Sequence, residues 1–198
     1  MTEDEGPEAA APAKPAPPLV VGVASDRLRL RRAEPGDLDF LVELMSHDEV
    51  EPYLAVIRPR DRDGLLEEIE RSQAEPQEFG RFVIEIEEDG HWRRAGLMGF
   101  DVANRRSRIA NLGSLAVHPE FRGRRLSDRA ARLFQRHLIF DLGYHRLQLE
   151  IYGFNERALR HAERAGFVRE GVRRRAYWRH GEWVDGVLYS LVSEDLER

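Results

Sequence analysis

One stretch, Leu115-Ala116-Val117-His118-Pro119-Glu120-Phe121-Arg122-Gly123-Arg124-Arg125-Leu126-Ser127-Asp128, changes its periodicity halfway and carries the clearest chemistry in the chain. Before Pro119, apolar Leu112, Leu115, Ala116 and Val117 read as a short buried strand. After Gly123, Leu126, Ala130, Leu133, His137 and Leu138 fall along one side of a helix. Between them lies a turn bearing arginine and glycine. A strand that feeds a helix through such a turn leaves the first-turn amides without intrahelical acceptors and points the positive end of the helix dipole outward. The chemistry this predicts is anion binding, with phosphate as the anion.

The elements that must position this turn follow from periodicity. Asp26 to Arg31 alternates and predicts a half-buried first strand, broken at Ala33-Glu34-Pro35-Gly36-Asp37 ahead of a helix with Leu38, Leu41, Val42 and Met45 on one side. Arg60 to Gln73 predicts a second helix with Leu65, Leu66 and Ile69 inward. Phe82 to Glu87 and Ala95 to Asp101 predict strands joined by the hairpin pair Asp89-Gly90, followed by a strand over Ile109 to Val117. The central helix is expected from about Arg124 to Leu142, stopping at Gly143. Arg146 to Tyr152 alternates and makes a fifth strand, parallel to the one before the helix in a right-handed crossover. Asn155 caps a further helix that Gly166 ends, and two closing strands flank His180-Gly181.

Composition bounds what such a chain can do. Its 198 residues suit one domain, 24–198, behind a Pro/Ala/Glu-rich tail over 1–23 that holds five of the ten prolines and has too little apolar content to bury. With 41% hydrophobic and 34% charged residues it has the composition of a soluble protein, and no apolar run reaches the length of a bilayer span. Residence in the cytoplasm is the expectation, because the N-terminus lacks the order of a signal peptide. There is no cysteine, so disulfides, thiolate metal sites and a cysteine nucleophile are excluded together. A net charge of −5 argues against nonspecific nucleic-acid affinity, although Lys14 is the single lysine and nearly all positive charge is arginine.

The central stretch resembles the acetyl-coenzyme-A-binding motif of the GNAT superfamily of N-acyltransferases, a strand ending in Val-x-Pro and then Arg/Gln-x-x-Gly-x-Gly/Ala opening a helix. A second block, Asn155-Glu156-Arg157-Ala158-Leu159 followed by Arg164-Ala165-Gly166-Phe167, is similar to the family's Asn-x-x-Ala/Ser…Lys-x-Gly-Phe signature. A third, Gly181 to Leu191, is similar to the closing strand of the RimJ/RimL-like branch. Three ordered blocks over about residues 26 to 195 are more specific than one glycine-rich loop.

The resemblance implies a mixed α/β sheet of about seven strands with about four helices. It also implies an enzyme that moves acetyl from acetyl-coenzyme A to a primary amine of a protein or small molecule by direct attack in a ternary complex, without a metal. In that fold the fourth and fifth strands splay apart, leaving backbone of Leu115, Ala116 and Val117 free for the pantetheine arm. Pyrophosphate falls to Arg122, Gly123, Arg124, Arg125, Leu126, Ser127 and Asp128. Asn155, already a helix cap on physical grounds, and Ala158 then face the cofactor arm. Tyr53, Arg58 and Arg60 fall on the acceptor side, where solvated surface is their first reading and substrate contact the second. A homodimer through sheet edges or the closing strands fits the same architecture.

Departures from the motif qualify this picture. Arg125 stands where the family has its first motif glycine and Ser127 where it has glycine or alanine. An arginine there either binds pyrophosphate through its forked guanidinium or fills the slot. Ala162 stands where many members carry the tyrosine that protonates the leaving thiolate, which leaves water, Ser127 and Tyr189 as candidates. For the base, Glu150 on the polar face of the fifth strand is the first candidate, with pairing to an arginine as its plain structural alternative. Asp101 and Glu85 follow, and Asn111 sits near where related enzymes place a carboxylate. His118 and His145 read as packing or surface residues. Arginines recur at 125, 129, 132 and 136 along one helix face and cluster again at 173, 174, 175 and 179. They read as solvated faces with one or two reaching the 3′-phosphate, or else as a contact for a donor such as aminoacyl-tRNA. A binding or regulatory module that has lost catalysis is the reading from outside enzymology.

Overall fold

The computed structural model describes residues 20–21, 27–54 and 61–196. In chain order these form β1 (Val20–Val21), β2 (Leu28–Arg32), α1 (Leu38–Ser46), α2 (Arg62–Ala74), β3 (Phe79–Glu88), β4 (His91–Asn104), β5 (Ile109–Val117), α3 (Leu126–Arg136), β6 (Arg146–Tyr152), α4 (Glu156–Arg164), β7 (Val168–Arg179), β8 (Glu182–Val192) and α5 (Ser193–Leu196). The strands make one mixed sheet in the order β1-β2-β3-β4-β5-β6-β8-β7. Every neighbouring pair is antiparallel except β5 and β6, which run parallel as the crossover through α3 requires. Among the described residues the expected seven strands and four helices are therefore present, with the two-residue β1 and one-turn α5 added.

Two apolar layers sandwich the sheet. On one face α3 sends Leu126, Ala130 and Phe134 against Phe82, Phe100 and Leu147. The Phe134 ring meets Phe82 edge-on at 5.1 Å between centroids. On the other face α1 and α2 bury Leu41, Leu44, Leu65 and Ile69 against Val83, Leu97 and Ala116. Alternation along each strand decides which layer a residue joins. The hairpin at Asp89-Gly90 forms as expected, with both residues at positive φ, 51° and 79°.

A buried ion cluster locks the turn ahead of α1 to the sheet. Arg31 donates to both oxygens of Asp37, at 2.6 and 2.8 Å, and to Glu85 at 2.9 Å. Arg29 reaches Glu85 at 2.6 Å and Arg94 reaches Asp37 at 2.8 Å. Burial acts to raise the Asp37 carboxyl, but the Arg31 bonds, the Glu34 amide and the Arg94 charge outweigh it and hold the group below the usual carboxylate range.

Several expectations need correction or fall outside the description. Asp26, Arg58, Arg60 and most of the 1–23 tail lie outside the described residues, while Val20–Val21 of that tail pairs with Leu30 and Arg31 of β2. The central helix does not run to Leu142: α3 ends at Arg136 and the chain continues as a π turn over His137–Asp141. His137 and Leu138 keep the apolar spacing that suggested a longer helix, being 5% and 0% exposed. The wider turn lets the His137 imidazole meet Asp141 at 2.7 Å.

The ion cluster gives a stability test. Asp37→Asn is expected to lower unfolding free energy by about 3–5 kcal/mol at pH 7, read by denaturant titration, because Arg31 is left buried against one carboxylate. The folded-state carboxyl is depressed, so its contribution is present above the unfolded value and is lost as pH falls through the folded one. The gap between parent and variant should therefore close below about pH 4.

Candidate active site at the strand fork

β5 and β6 pair through only three positions, Ile109 with Arg146, Ala110 with Leu147 and Asn111 with Gln148. Beyond Asn111 the strands separate. β4 holds β5 along its other edge up to Val117, and β8 holds β6 through Tyr152. The separation is helped by a bulge: Ser114 and Leu115 together oppose Met98, and Ser114 takes φ 58°. Arg81 donates to the Ser114 hydroxyl at 3.0 Å and pairs with Glu68 at 2.7 Å. At the crotch of the fork the Gln148 amide donates to Asn111 at 2.7 Å, and Asn111 donates to Asp101 at 3.2 Å. Asn111 and Asp101 thus clamp the fork.

The fork opens into a cleft of about 1160 Å³. Leu115, Ala116 and Val117 line one wall and Leu149 to Tyr152 the other, with Asn155 and Ala158 of α4 and Ser127 of α3 at the margins. Backbone groups along the inner edges of both strands have no ladder partner, so the cleft presents main-chain donors and acceptors to whatever enters. The predicted residues Leu115, Ala116, Val117, Arg122, Ser127, Asn155 and Ala158 all line it. Asn155 caps α4 by accepting from the Ala158 amide at 3.1 Å.

The turn into α3 behaves differently from a glycine-rich loop. Arg125 is the helix N-cap residue at φ 54°, ψ 28°, the left-handed conformation that a glycine would take freely. No side chain caps α3, so the amides of Leu126, Ser127 and Asp128 lack helix acceptors. Gly123, Arg124 and Arg125 are exposed, and none of the three lines the cleft. Arg125 therefore does not fill the slot. Arg124 pairs with Glu88, and Arg122 pairs with the Glu49 carboxylate while donating to the Glu49 carbonyl at 3.0 Å. Asp128 is buried and committed: His161 Nδ1 lies 2.7 Å away and Arg164 3.3 Å, which ties α3 to α4. Burial outweighs that contact for His161 and holds its imidazole below the ordinary range, so it is neutral at pH 7.

Glu150 and Tyr189 do not share a face. Glu150 pairs in register with Leu188 and Leu149 with Tyr189, so the two side chains leave the sheet on opposite sides. Tyr189 is 2% exposed and donates to Glu163 at 3.2 Å. Burial first, then the Glu163 carboxylate, pushes its phenol up. Glu150 has Oε2 held by Arg173 at 3.1 Å, while Oε1 is buried and accepts nothing. Of the lesser candidates, Glu85 is consumed by the Arg29 and Arg31 pairs. His118 accepts from the Glu120 amide at 3.3 Å and His145 lies 3.3 Å from the Ser193 hydroxyl. Among the described residues there is no His/Asp/Glu group that could hold a metal and no helix long and apolar enough to cross a membrane.

Four cleft residues, Arg157, Tyr152, Phe154 and Tyr177, escaped the sequence reading as site residues. Arg157 faces the same space as Arg122; burial and then the Arg122 charge hold it below the ordinary arginine range. An anion between these two cations would relieve their repulsion. Tyr152 and Tyr177 meet edge-on at 5.3 Å, beside Phe154 stacked on Tyr152 at 5.5 Å, and Tyr53 lies 6.0 Å from Phe154. Of these, only Tyr53 carried a signal in the sequence.

A mixed sheet forked between its two parallel strands, with an uncapped helix N-terminus beside the fork, is the architecture expected of an acyl-coenzyme-A N-acyltransferase. The chain belongs to the acetyltransferase (GNAT) domain family, whose model matches residues 27–168. It is a GNAT-type N-acetyltransferase with acetyl-coenzyme A as cosubstrate. It is 27% identical over 174 residues to the SPbeta prophage-derived uncharacterized N-acetyltransferase YokL of Bacillus subtilis (strain 168), covering 87% of this chain and 93% of that protein. Among solved structures it resembles a spermidine N-acetyltransferase from Vibrio cholerae in complex with CoA and spermine, at 23% identity and TM-score 0.76, over 87% of this chain and 99% of that one. It also resembles a dodecameric form of the Vibrio cholerae enzyme at 22% identity and TM-score 0.70, over 85% and 95% of the two chains.

The turn makes its own prediction. Arg125→Gly should keep or raise stability by up to about 1 kcal/mol, since glycine occupies this φ without strain, and Arg125→Val should lower it by at least that much. Thermal unfolding of the two variants beside the parent measures both.

Proposed function

We propose that this enzyme transfers acetyl from acetyl-coenzyme A directly to the primary amine of a cationic alkylamine, with Glu150 as general base. The observation that carries the reading is the Glu150 carboxylate at the fork, with Oε2 held by Arg173 and a free, buried Oε1. The amine nitrogen bonds to the acetyl carbon as the carbon–sulfur bond breaks. Glu150 takes the proton that nitrogen sheds, and solvent supplies one to the departing thiolate, because Ala162 has none to give and the Tyr189 hydroxyl is committed to Glu163.

The cosubstrate fits this chain's groups. Unpaired backbone of Leu115 to Val117 suits the amides of the pantetheine arm, and the α3 amides from Leu126 to Asp128 with Arg122 and Arg157 suit pyrophosphate. The acceptor reading rests on the aromatic mouth of Tyr53, Tyr152, Phe154 and Tyr177 beside Asp48 and Glu49, all lining the cleft. Rings and carboxylates together favour an ammonium or alkylammonium. Spermine bound in the similar Vibrio cholerae structure points the same way. The closing strand supports placing the chain near the RimJ/RimL-like branch.

Two measurements test this. Glu150→Gln is expected to lower kcat by about a hundredfold or more in a thiol-release assay with spermidine or spermine, while calorimetric affinity for acetyl-coenzyme A stays within about twofold. Turnover near that of the parent would remove Glu150 as the base. Arg125→Glu, which sets a carboxylate beside the α3 amides, should weaken acetyl-coenzyme A binding by about tenfold; unchanged affinity would move the pyrophosphate away from this helix.

A further inference from the structure

Tyr177 belongs to β7, two strands from β6, yet its ring touches the Tyr152 ring of β6. Two features make that reach possible. In β7 the residues Arg174, Arg175 and Ala176 stand opposite the single residue Asp185 of β8, between the pairs Arg173 with Gly186 and Tyr177 with Val184. This bulge is pinned from below: Arg175, at φ 50°, donates its amide to the Asp185 carboxylate at 2.7 Å, and the Asp185 carbonyl accepts from Gly153 at 2.8 Å. The second feature is Gly186. A Cβ there would press into Glu150 Oε1 and stand 2.8 Å from the Tyr177 ring. The backbone of Gly186 is not in the left-handed region, so what the position requires is an absent side chain. Tyr177 thus crosses β8 over the space left by Gly186, on the same face from which Glu150 of β6 reaches that space.

We propose that Tyr177, reaching over Gly186, is the positioning residue that walls Glu150 Oε1 off from bulk water and aims it at the acceptor. The inference rests on the general-base reading of Glu150. Arg173 fixes one oxygen of the carboxylate, and the Tyr177 ring with Gly186 encloses the other. That enclosure accounts for a buried carboxylate oxygen with no hydrogen-bond partner, a costly arrangement anywhere it serves no purpose. Burial first, then hydrogen bonding toward the Glu150 carboxylate and its charge, push the Tyr177 phenol up, so the wall is uncharged at neutral pH. A neutral wall does not compete with the acceptor as a cation, and a ring is rigid enough to hold a carboxylate in one rotamer.

The experiment compares Tyr177→Ala, Tyr177→Phe and Gly186→Ala with the parent enzyme, alone and combined with Glu150→Gln, using acetyl-coenzyme A and spermine. Tyr177→Ala and Gly186→Ala should lower kcat by about tenfold with the KM for acetyl-coenzyme A unchanged. Tyr177→Phe, which restores the ring, should stay within about threefold of the parent. In the Glu150→Gln background Tyr177→Ala should cost nothing further, since it acts through that carboxylate. The proposal is overturned by parent-like turnover of Tyr177→Ala, by a Phe variant as slow as the Ala variant, or by losses that simply add. If Glu150→Gln itself turns over like the parent, the general-base reading fails, and the double variants separate that failure from one confined to Tyr177. Thermal unfolding and acetyl-coenzyme A titration of each variant identify any that lose their fold, in which case the Phe variant and its double carry the decision.

Discussion

The structure depends on how β5 and β6 part. Parallel strands gain stability from every residue they pair, yet these two stop after three pairs and leave main-chain groups without partners. Such a fork survives because each arm is held from outside. β4 pairs with β5 up to Val117, while β8 pairs with all seven residues of β6. The crotch is closed by the Gln148 to Asn111 bond at 2.7 Å, and the bulge at Ser114 turns β5 away. α3 leaves the end of the diverging β5 and packs Leu126 and Phe134 beneath the sheet, which brings its uncapped first turn to the fork's mouth.

Charge in this chain is organised around paired arginines. Arg31 sits between Asp37 and Glu85 in the interior, Arg122 is tied to Glu49, and Arg124 to Glu88. Two of the motif arginines read from sequence as phosphate ligands, Arg122 and Arg124, thus already have carboxylate partners, whereas the first-turn amides of α3 have no helix acceptor. Exposed ion pairs of this kind are weak and exchangeable, so a phosphate arriving at the turn can compete for Arg122 or Arg124 at little cost.

Local chemistry made much of the fold legible. The Asn155 cap, the Asp89-Gly90 hairpin, and β5 and β6 with their bounds all follow from turn residues and alternation, because each depends on neighbours in sequence. The fork was reachable only through the family resemblance, since nothing in Leu112 to Val117 announces that its hydrogen bonds stop being made. The length of α3 misled because a π turn keeps buried residues at nearly helical spacing, as His137 and Leu138 do. Tyr189 drew attention as a phenol in a closing strand, but its face is set by register with Leu149, a pairing no single segment reveals. Tyr177 was invisible for a related reason. A one-residue bulge between Arg169 and Gly171 shifts the faces of β7 against β8, so alternation read from the start of the strand loses the side on which this tyrosine emerges.

Opposite faces of the sheet explain why direct transfer suits this chain. Without cysteine, acetyl transfer through a thiol of the enzyme has no resident carrier, and in the proposed direct transfer donor and acceptor meet. An unbroken sheet would keep a ligand on the α3 and α4 face apart from one on the α1 and α2 face. The fork is where the two faces communicate, and Glu150 stands on its β6 arm, two residues beyond Gln148, the last to pair with β5. A carboxylate one position earlier or later would emerge on the other face. Its position in the register, more than its identity as an acid, sets Glu150 on the α1 and α2 face, where the proposed general base would meet an amine entering from the acceptor side.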